Sequence, residues 1–524
     1  MNELGKLEAL ASNLIKEGKL NEAENIYLEL INKGSRKHIV YSNLAGLAGL
    51  DKRYKDVIKY ASISLEICGD QPNVLCNLGA AHKNLGNIEC AIDIYLKALS
   101  LDPNSAEILC NLGNILQENG NYSDSIIALN KSIEIEPNSF ESRYNLGISL
   151  FKNEDSDKAI EEYKYSIRIK PYHFYAYINL GNAFFAIGKY QKAKKSYEYA
   201  LKIKPSSPEA KFNIAQILLL LGDYEIGLQY YEERFRALQG ERLILTKTSL
   251  EQWDGKNLLK NQKLIVIAEQ GFGDTIQFVR YLPYLSKLGI DITLIAQKEL
   301  YKLLKFSNLN IEITTNNDLH NIESGRWIPL LSIPKLLGVE PTKPICSSKY
   351  LSTADEIKKK WKPIINQQKQ PIIGINWQGN PKHENSNSRG RSILLEQLGP
   401  IANTISGSLL SFQKGYGSEQ LLKCSFRDKF VTCQEQIDLS LDFSESAALI
   451  ELCDLIITTD TSLAHLSGAL GKRTWLLLKY VPEWRWGLNK NETFWYPSIR
   501  LFRQRIIGDW EEVVQRICSE IINI

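Results

Sequence analysis

The stretch "AEILCNLGNILQENGNY" (106–122) decides the fold of the first half of the chain, because its parts recur at a fixed interval. Asn111 belongs to a file formed with Asn43, Asn77, Asn145, Asn179 and Asn213, each 34 residues from the next. Pro103, Pro137, Pro171 and Pro205 keep the same interval. So do Gly86, Gly120, Gly188 and Gly222, with Glu154 in the missing glycine slot. Three coincident ladders are the signature of a repeat architecture. Within the unit 72–105, Gly79, Ala91 and Ala98 let two helices approach closely, and Leu78 and Tyr95 fill the space between them. Gly86 makes the turn, and Pro103 stops the second helix. In this frame seven units run from 4 to 241. The first has Ala9 in place of the asparagine but keeps Gly18, Ala23 and Tyr27. The last carries Gly227 and Arg234 at the small positions, so it is expected to cap the array or dock on the domain after it.

The pattern resembles the tetratricopeptide repeat, which implies an all-α superhelix over 1–241 whose inner wall is made by the first helix of each pair. The ladder asparagines fall on those first helices. An asparagine offers a donor and an acceptor, matching the two hydrogen-bonding groups of a peptide unit. The six are therefore expected to hold an extended polypeptide. The competing reading is that they cap or cross-link neighbouring helices, or persist from duplication. The repeat superhelix of the O-GlcNAc transferases carries a similar ladder in units that also read "NLG".

A chain of 524 residues is too long for one ordinary domain. With 44% hydrophobic and 23% charged residues it is globular in composition. A net charge of +3 makes no electrostatic case for nucleic acid or a membrane surface as partner. No signal-peptide core, lipidation motif or membrane-spanning apolar run is evident. Nine cysteines without CxxC pairs suit a reducing cytoplasm.

After about residue 240 the period vanishes and strands alternate with helices. A linker over 242–262 is followed by an α/β half over 263–366, with strands at 263–270 and 291–297, a tight loop at 271–274, a helix at 275–289, and a short strand and helix over 326–338. A second half over 367–524 begins with a linker-like 367–370, then strands at 371–379, 409–415, 454–460 and 474–479 with intervening helices. Two such units imply two Rossmann-like halves with ligands at the carboxyl ends of parallel strands. In "DLIITTDTSLAHLSGALGKRTW" (454–475) a buried strand ends at Asp460 and a helix begins at once with Thr461 and Ser462. Backbone N–H groups and two hydroxyls at that point suit a phosphate, with His465 one turn further; a plain N-cap with a core histidine is the alternative. In "GFGD" (271–274), Gly271 and Gly273 allow close approach to a ligand, and Asp274 after the glycine turn suits a helix cap. Lys382, Arg389 and Arg391 would neutralise a diphosphate, unless their loop is simply solvated. Lys414 follows a strand and is a further phosphate candidate. The aromatics of 481–497 suit stacking or packing. No Asp-x-Asp or zinc-ligand spacing stands out, so no metal and no cofactor are expected, with basic groups and a helix start carrying the charge stabilisation.

The segment with Asp460, Thr461, His465 and Ala469-Leu470-Gly471 resembles the donor motif of the ADP-heptose–lipopolysaccharide heptosyltransferases, which have the GT-B fold. "EQGFGDTIQFVRYLP" (269–283) is similar to the opening of their acceptor half. The resemblance implies a nucleotide-sugar donor in the second half, Asp274 as general base, inversion at the sugar, and a final helix (509–524) packed back across both halves. The first half is short for that fold, so either strands are missing or the last repeats complete it. The combined expectation is a cytoplasmic, bacterial, metal-independent inverting glycosyltransferase acting on a protein captured by the repeats. Two alternatives stand beside it: a non-catalytic repeat scaffold with a degenerate transferase domain, and a glycan-directed transferase whose repeats dock a partner.

Overall fold

The computed structural model describes residues 3–238, 248–256, 263–315, 325–345, 348–384, 390–488 and 490–522. The chain forms two compact units, Met1–Phe184 and Phe185–Ile524, so the division falls within the repeats rather than after them.

In the first unit helices pair antiparallel, as in Pro72–Asn84 with Ile88–Leu101 and Ala106–Glu118 with Tyr122–Ile135. Each pair is as close as its glycine allows. A Cβ on Gly79 would sit 3.0 Å from the Tyr95 ring, on Gly113 2.5 Å from Leu129, and on Gly147 2.7 Å from Tyr163. In one unit Ser125 and Ser132 replace the small alanines, and their buried hydroxyls donate to the carbonyls of Gly113 and Ala106. Gly86 and Gly120 turn with φ of +83° and +80°. Glu154, in the glycine slot, is forced to φ +69°, where a side chain is strained. Glu154→Gly should therefore stabilise that helix pair by about 1 kcal/mol. Slower amide exchange over Phe140–Lys152 and Ser156–Ile169 is the measurement that checks it.

The second unit opens with Tyr190–Ile203 and then the last repeat helices, Pro208–Leu221, Tyr224–Tyr231 and Arg234–Ala237. A first sheet comes next: β1 Glu251–Gln252, β2 Leu264–Ile267, β3 Ile292–Ile295, β4 Glu312–Thr314 and β5 Arg326–Pro329, in the order β1-β5-β2-β3-β4. A second comprises β6 Ile372–Asn376, β7 Ser408–Ser411, β8 Leu455–Thr459, β9 Thr474–Leu478 and β10 Ile499–Arg503, in the order β10-β9-β8-β6-β7. These strands pair in parallel throughout. Runs such as "LIVI" and "TWLLL" are buried throughout, because helices cover parallel strands on both faces.

Four expectations need correction. The 242–262 segment is not wholly a linker: Glu251–Gln252 pairs with Arg326–Trp327 as an edge strand. With β4, this strand gives the short first half five strands among the described residues. The helix expected over 275–289 begins earlier, as Phe272–Phe278, and is interrupted by a 3-10 turn before Leu282–Lys287. Pro283 lies at the start of that next helix, where its missing N–H costs nothing. The C-terminal helix Trp510–Ile521 does not bridge the halves: Val513, Val514 and Ile517 join the core of the second sheet with Ile373, Trp475 and Phe502. Among the described residues no helix is long and apolar enough to cross a membrane.

The last repeat shares a core with both sheets. Leu219, Leu220, Tyr224 and Tyr231 cluster with Val266, Leu294, Leu476 and Leu501. Tyr224 packs edge-on against Trp484 and Phe494, with ring centroids at 6.0 and 5.5 Å. Arg234, at one of the expected small positions, is wholly buried and forks onto Glu269 at 2.8 and 2.9 Å, while reaching Glu232 at 2.8 Å and the Ser332 hydroxyl at 2.9 Å. Burial works against its charge, but Glu269 outweighs it and raises the pKa.

Candidate functional site

The strand orders fix where a ligand belongs. In the second sheet the connections leave β6 in opposite directions to β7 and β8, which opens a crevice at the carboxyl ends of β6 and β8. In the first sheet the equivalent place, between β2 and β5, is filled by the Arg234–Glu269–Ser332 cluster. An open depression of about 450 Å³ beside Asp291, Asn308 and Asn310 lies at the amino-terminal ends of β3 and β4, the wrong end for a parallel sheet.

At the β6–β8 crevice Asn376, which ends β6, accepts the Thr461 hydroxyl at 3.1 Å and donates to Gln413 at 2.8 Å. The Thr461 hydroxyl thus ties two strand ends together and does not cap the helix Ser462–Ala469. Gln413 also accepts the N–H groups of Trp377 and Gln378, fixing the loop after β6. Arg391 lies flat over Gly379, where a Cβ would come within 2.6 Å of its guanidinium, and reaches the Asp460 carbonyl at 3.4 Å. Burial raises the Asp460 carboxyl above its ordinary range, with Arg391, Arg485 and Lys479 opposing. Burial pushes Lys479, just beyond β9, down to about 8, against the pull of Asp460, Glu384 and Glu483.

The loop after β2 comes to this place from the first sheet. Asp274 sits in the first turn of Phe272–Phe278, accepting the Gly271 N–H on Oδ2 at 2.9 Å and Arg485 on Oδ1 at 2.5 Å. Arg485 also holds Glu483 at 2.5 Å and the Gln277 side-chain oxygen at 2.6 Å. It stays charged: burial opposes this, but Glu483 and Asp274 prevail. Glu483 keeps 36% of its side chain exposed, yet burial is the largest influence on its carboxyl, which is pushed up to about 7.

The structure therefore brings together Asp274, Gly271, Arg391, Asp460, Thr461 and Ser462. Three other candidates are placed differently. His465 is buried, with Nδ1 on the Tyr496 hydroxyl at 3.0 Å and its ring stacked on Trp486 at 5.3 Å. Burial, then Arg485 and Arg280, hold it well below its ordinary pKa and so neutral. Gly273 is a glycine for the same reason, since a Cβ would meet the His465 ring at 2.8 Å; the close approach is to that ring. Lys414 is exposed and donates to the Leu441 carbonyl, which draws it away from phosphate duty. Arg389 lies outside the described residues. The aromatics Trp484, Phe494 and Trp495 pack on the last repeat.

Sequence reasoning missed Glu483, Arg485, Lys479 and Glu384. The available signal was "EWRW" (483–486): opposite charges embedded among tryptophans after a buried strand indicate a buried ion pair.

The ladder asparagines are cross-linkers in part. Asn111 donates to the Cys76 sulfur at 3.2 Å and Asn179 to the Tyr144 hydroxyl at 3.0 Å, each 35 residues back. Asn145 is half-buried, and its backbone carbonyl accepts the Gln117 side chain at 2.9 Å. Asn43 donates to Tyr27 at 2.7 Å. Asn77 is exposed, and Asn213, in the second unit, is half-buried.

Comparison with known proteins finds tetratricopeptide repeats in this chain. The TPR repeat family matches residues 84–120, and Tetratricopeptide repeat families match 106–139, 128–161 and 174–207. The chain is similar to Protein FlbA of Caulobacter vibrioides, 23% identical over 291 residues, covering 52% of this chain and 48% of that protein. It is similar to the Hsp70-Hsp90 organising protein of Plasmodium falciparum, 29% identical over 103 residues, covering 20% of this chain and 41% of that one. It thus spans about half the length, or less, of these curated relatives. Among solved structures, a crystal structure of MamA is 28% identical with a TM-score of 0.29, covering 30% of this chain and 94% of that one.

Proposed function

We propose that the repeats bind protein and that the α/β body is a GT-B glycosyltransferase, moving a sugar from a nucleotide sugar to a captured acceptor. The protein-binding half is supported by the repeat families and by a relative named for organising two other proteins. With one N–H of Asn111 and of Asn179 engaged on the preceding repeat, the second N–H and the acceptor oxygen of each suit a peptide unit. One observation carries the enzymatic half. Arg391, Lys479 and the helix start at Ser462 gather at the carboxyl ends of parallel strands, together with Asp460, Glu483 and Asp274. Cations and a helix N-terminus suit a diphosphate, and the carboxylates suit proton transfer to and from a sugar or acceptor hydroxyl.

A second reading, a protein-binding scaffold whose α/β body senses a nucleotide without turnover, is favoured by the family matches within 84–207. The first experiment is thermal unfolding with UDP, GDP and ADP. One of them, at a hundredfold excess over its dissociation constant, should add about 2.7 kcal/mol of stability to the body. No shift with any of the three would remove the donor site.

A further inference from the structure

We propose that Glu483 takes the proton from the acceptor hydroxyl, and that Asp274 positions it through Arg485. This rests on the transferase reading above.

Both oxygens of Asp274 are committed, one to the Gly271 N–H and one to Arg485, and its side chain is 20% exposed. It can act as a base only by giving up a contact that shapes the loop after β2. Both oxygens of Glu483 are engaged too, but on Arg485: Oε1 accepts the guanidinium at 2.5 Å and Oε2 the Arg485 N–H at 2.8 Å, so its protonation leaves the loop after β2 untouched. Glu483 opens the turn Trp484–Trp486 and keeps 36% of its side chain exposed, whereas Arg485 keeps only 8%. The charged groups facing Glu483 come from every neighbouring element. Arg485 lies on its own turn, Lys479 just beyond β9, Asp460 at the end of β8, and Asp274 on the loop from the first sheet. Burial, with Asp460 and Asp274 adding, pushes its carboxyl to about 7 against Arg485. A base is most effective when its pKa lies near the working pH. Arg485 bonds both carboxylates, so Asp274 fixes the guanidinium that aims Glu483.

In the step, the acceptor oxygen forms a bond to the anomeric carbon. The bond from that carbon to the diphosphate oxygen breaks, and its electron pair leaves with the nucleoside diphosphate. The acceptor proton passes to the Glu483 carboxylate and then to water. Arg391 and Lys479 stabilise the charge gathering on the leaving group.

The test uses the full chain. UDP, GDP and ADP binding is read by thermal shift, and diphosphate release is followed from UDP-glucose, UDP-N-acetylglucosamine, GDP-mannose and ADP-glucose across pH. Wild-type turnover should rise through about pH 7. Glu483→Gln should lower turnover about 10²–10⁴-fold and abolish that limb, with diphosphate affinity unchanged. Glu483→Asp should retain the limb. Should Glu483→Gln keep the limb while Asp274→Asn loses it, Asp274 is the base and the proposal is overturned. Absence of binding by every diphosphate in the wild type would instead overturn the transferase reading, and this proposal with it.

Discussion

Arg234→Ala should cost the second unit about 3–5 kcal/mol, among the largest effects of any single substitution in the chain. The loss comes less from the attraction removed than from the groups left behind. Glu269, with no exposed side chain, would keep only the Leu331 N–H at 3.0 Å as partner for its charge. Ser332 would lose a donor in the same place. Replacing both members by apolar residues, as in Arg234→Met with Glu269→Met, leaves no wholly buried charge unpaired, since Glu232 is 23% exposed, and should recover most of the loss. Urea unfolding followed by tryptophan fluorescence separates these outcomes cleanly. All nine tryptophans lie between Trp253 and Trp510, so the signal reports on the second unit alone. A single variant as stable as the wild type would mean that the pair is solvated.

Arg485→Met should lower turnover at least about 10²-fold and destabilise the body by about 2–3 kcal/mol, less than a fully buried pair because Glu483 and Asp274 remain partly exposed. Arg485→Lys should rescue little, because a single ammonium cannot serve Gln277, Glu483 and Asp274 in three directions at once. The sign of the pH effect comes from the same contacts. Arg485 holds the Glu483 carboxyl down, so its removal raises that carboxyl further above about 7, and any residual activity should need more alkaline pH. Stability carries the matching slope. A carboxyl raised in the folded state stabilises fully below its ordinary 4.5, and that contribution is lost as pH climbs through about 7. Glu483→Gln should flatten the stability profile over that window.

The repeats are legible in the sequence because their signal is written many times over: a glycine needed beside Tyr95 is needed again beside Leu129 and Tyr163. The strands of the sheets are legible where they are long and apolar, as in β2, β6, β8 and β9, and not where they are short edges such as β1 and β4, whose membership is decided by pairing. At the site, Asp460 and Thr461 are legible from a strand that stops and a helix that starts. Glu483 is not, because its chemistry comes from neighbours remote in the chain, Asp274 among them. His465 and Gly273 stand out in the sequence for a sound reason, that something fits closely there, but the close partner of each is the other.

The ion pair at Arg234 also decides which parts of the chain evolution can lengthen. Within Met1–Phe184 a repeat packs on units like itself, so whole 34-residue units can be gained or lost there and the array refitted to a partner of different span, whereas Tyr190 of the next-to-last repeat already packs on the core of the α/β body. The final unit has no such freedom. With Tyr224, Tyr231 and Arg234 built into the sheets, deleting it would strip a face from the α/β body. Related chains should therefore differ in repeat number while keeping an arginine at this one position, a pattern that counting units in their sequences would reveal.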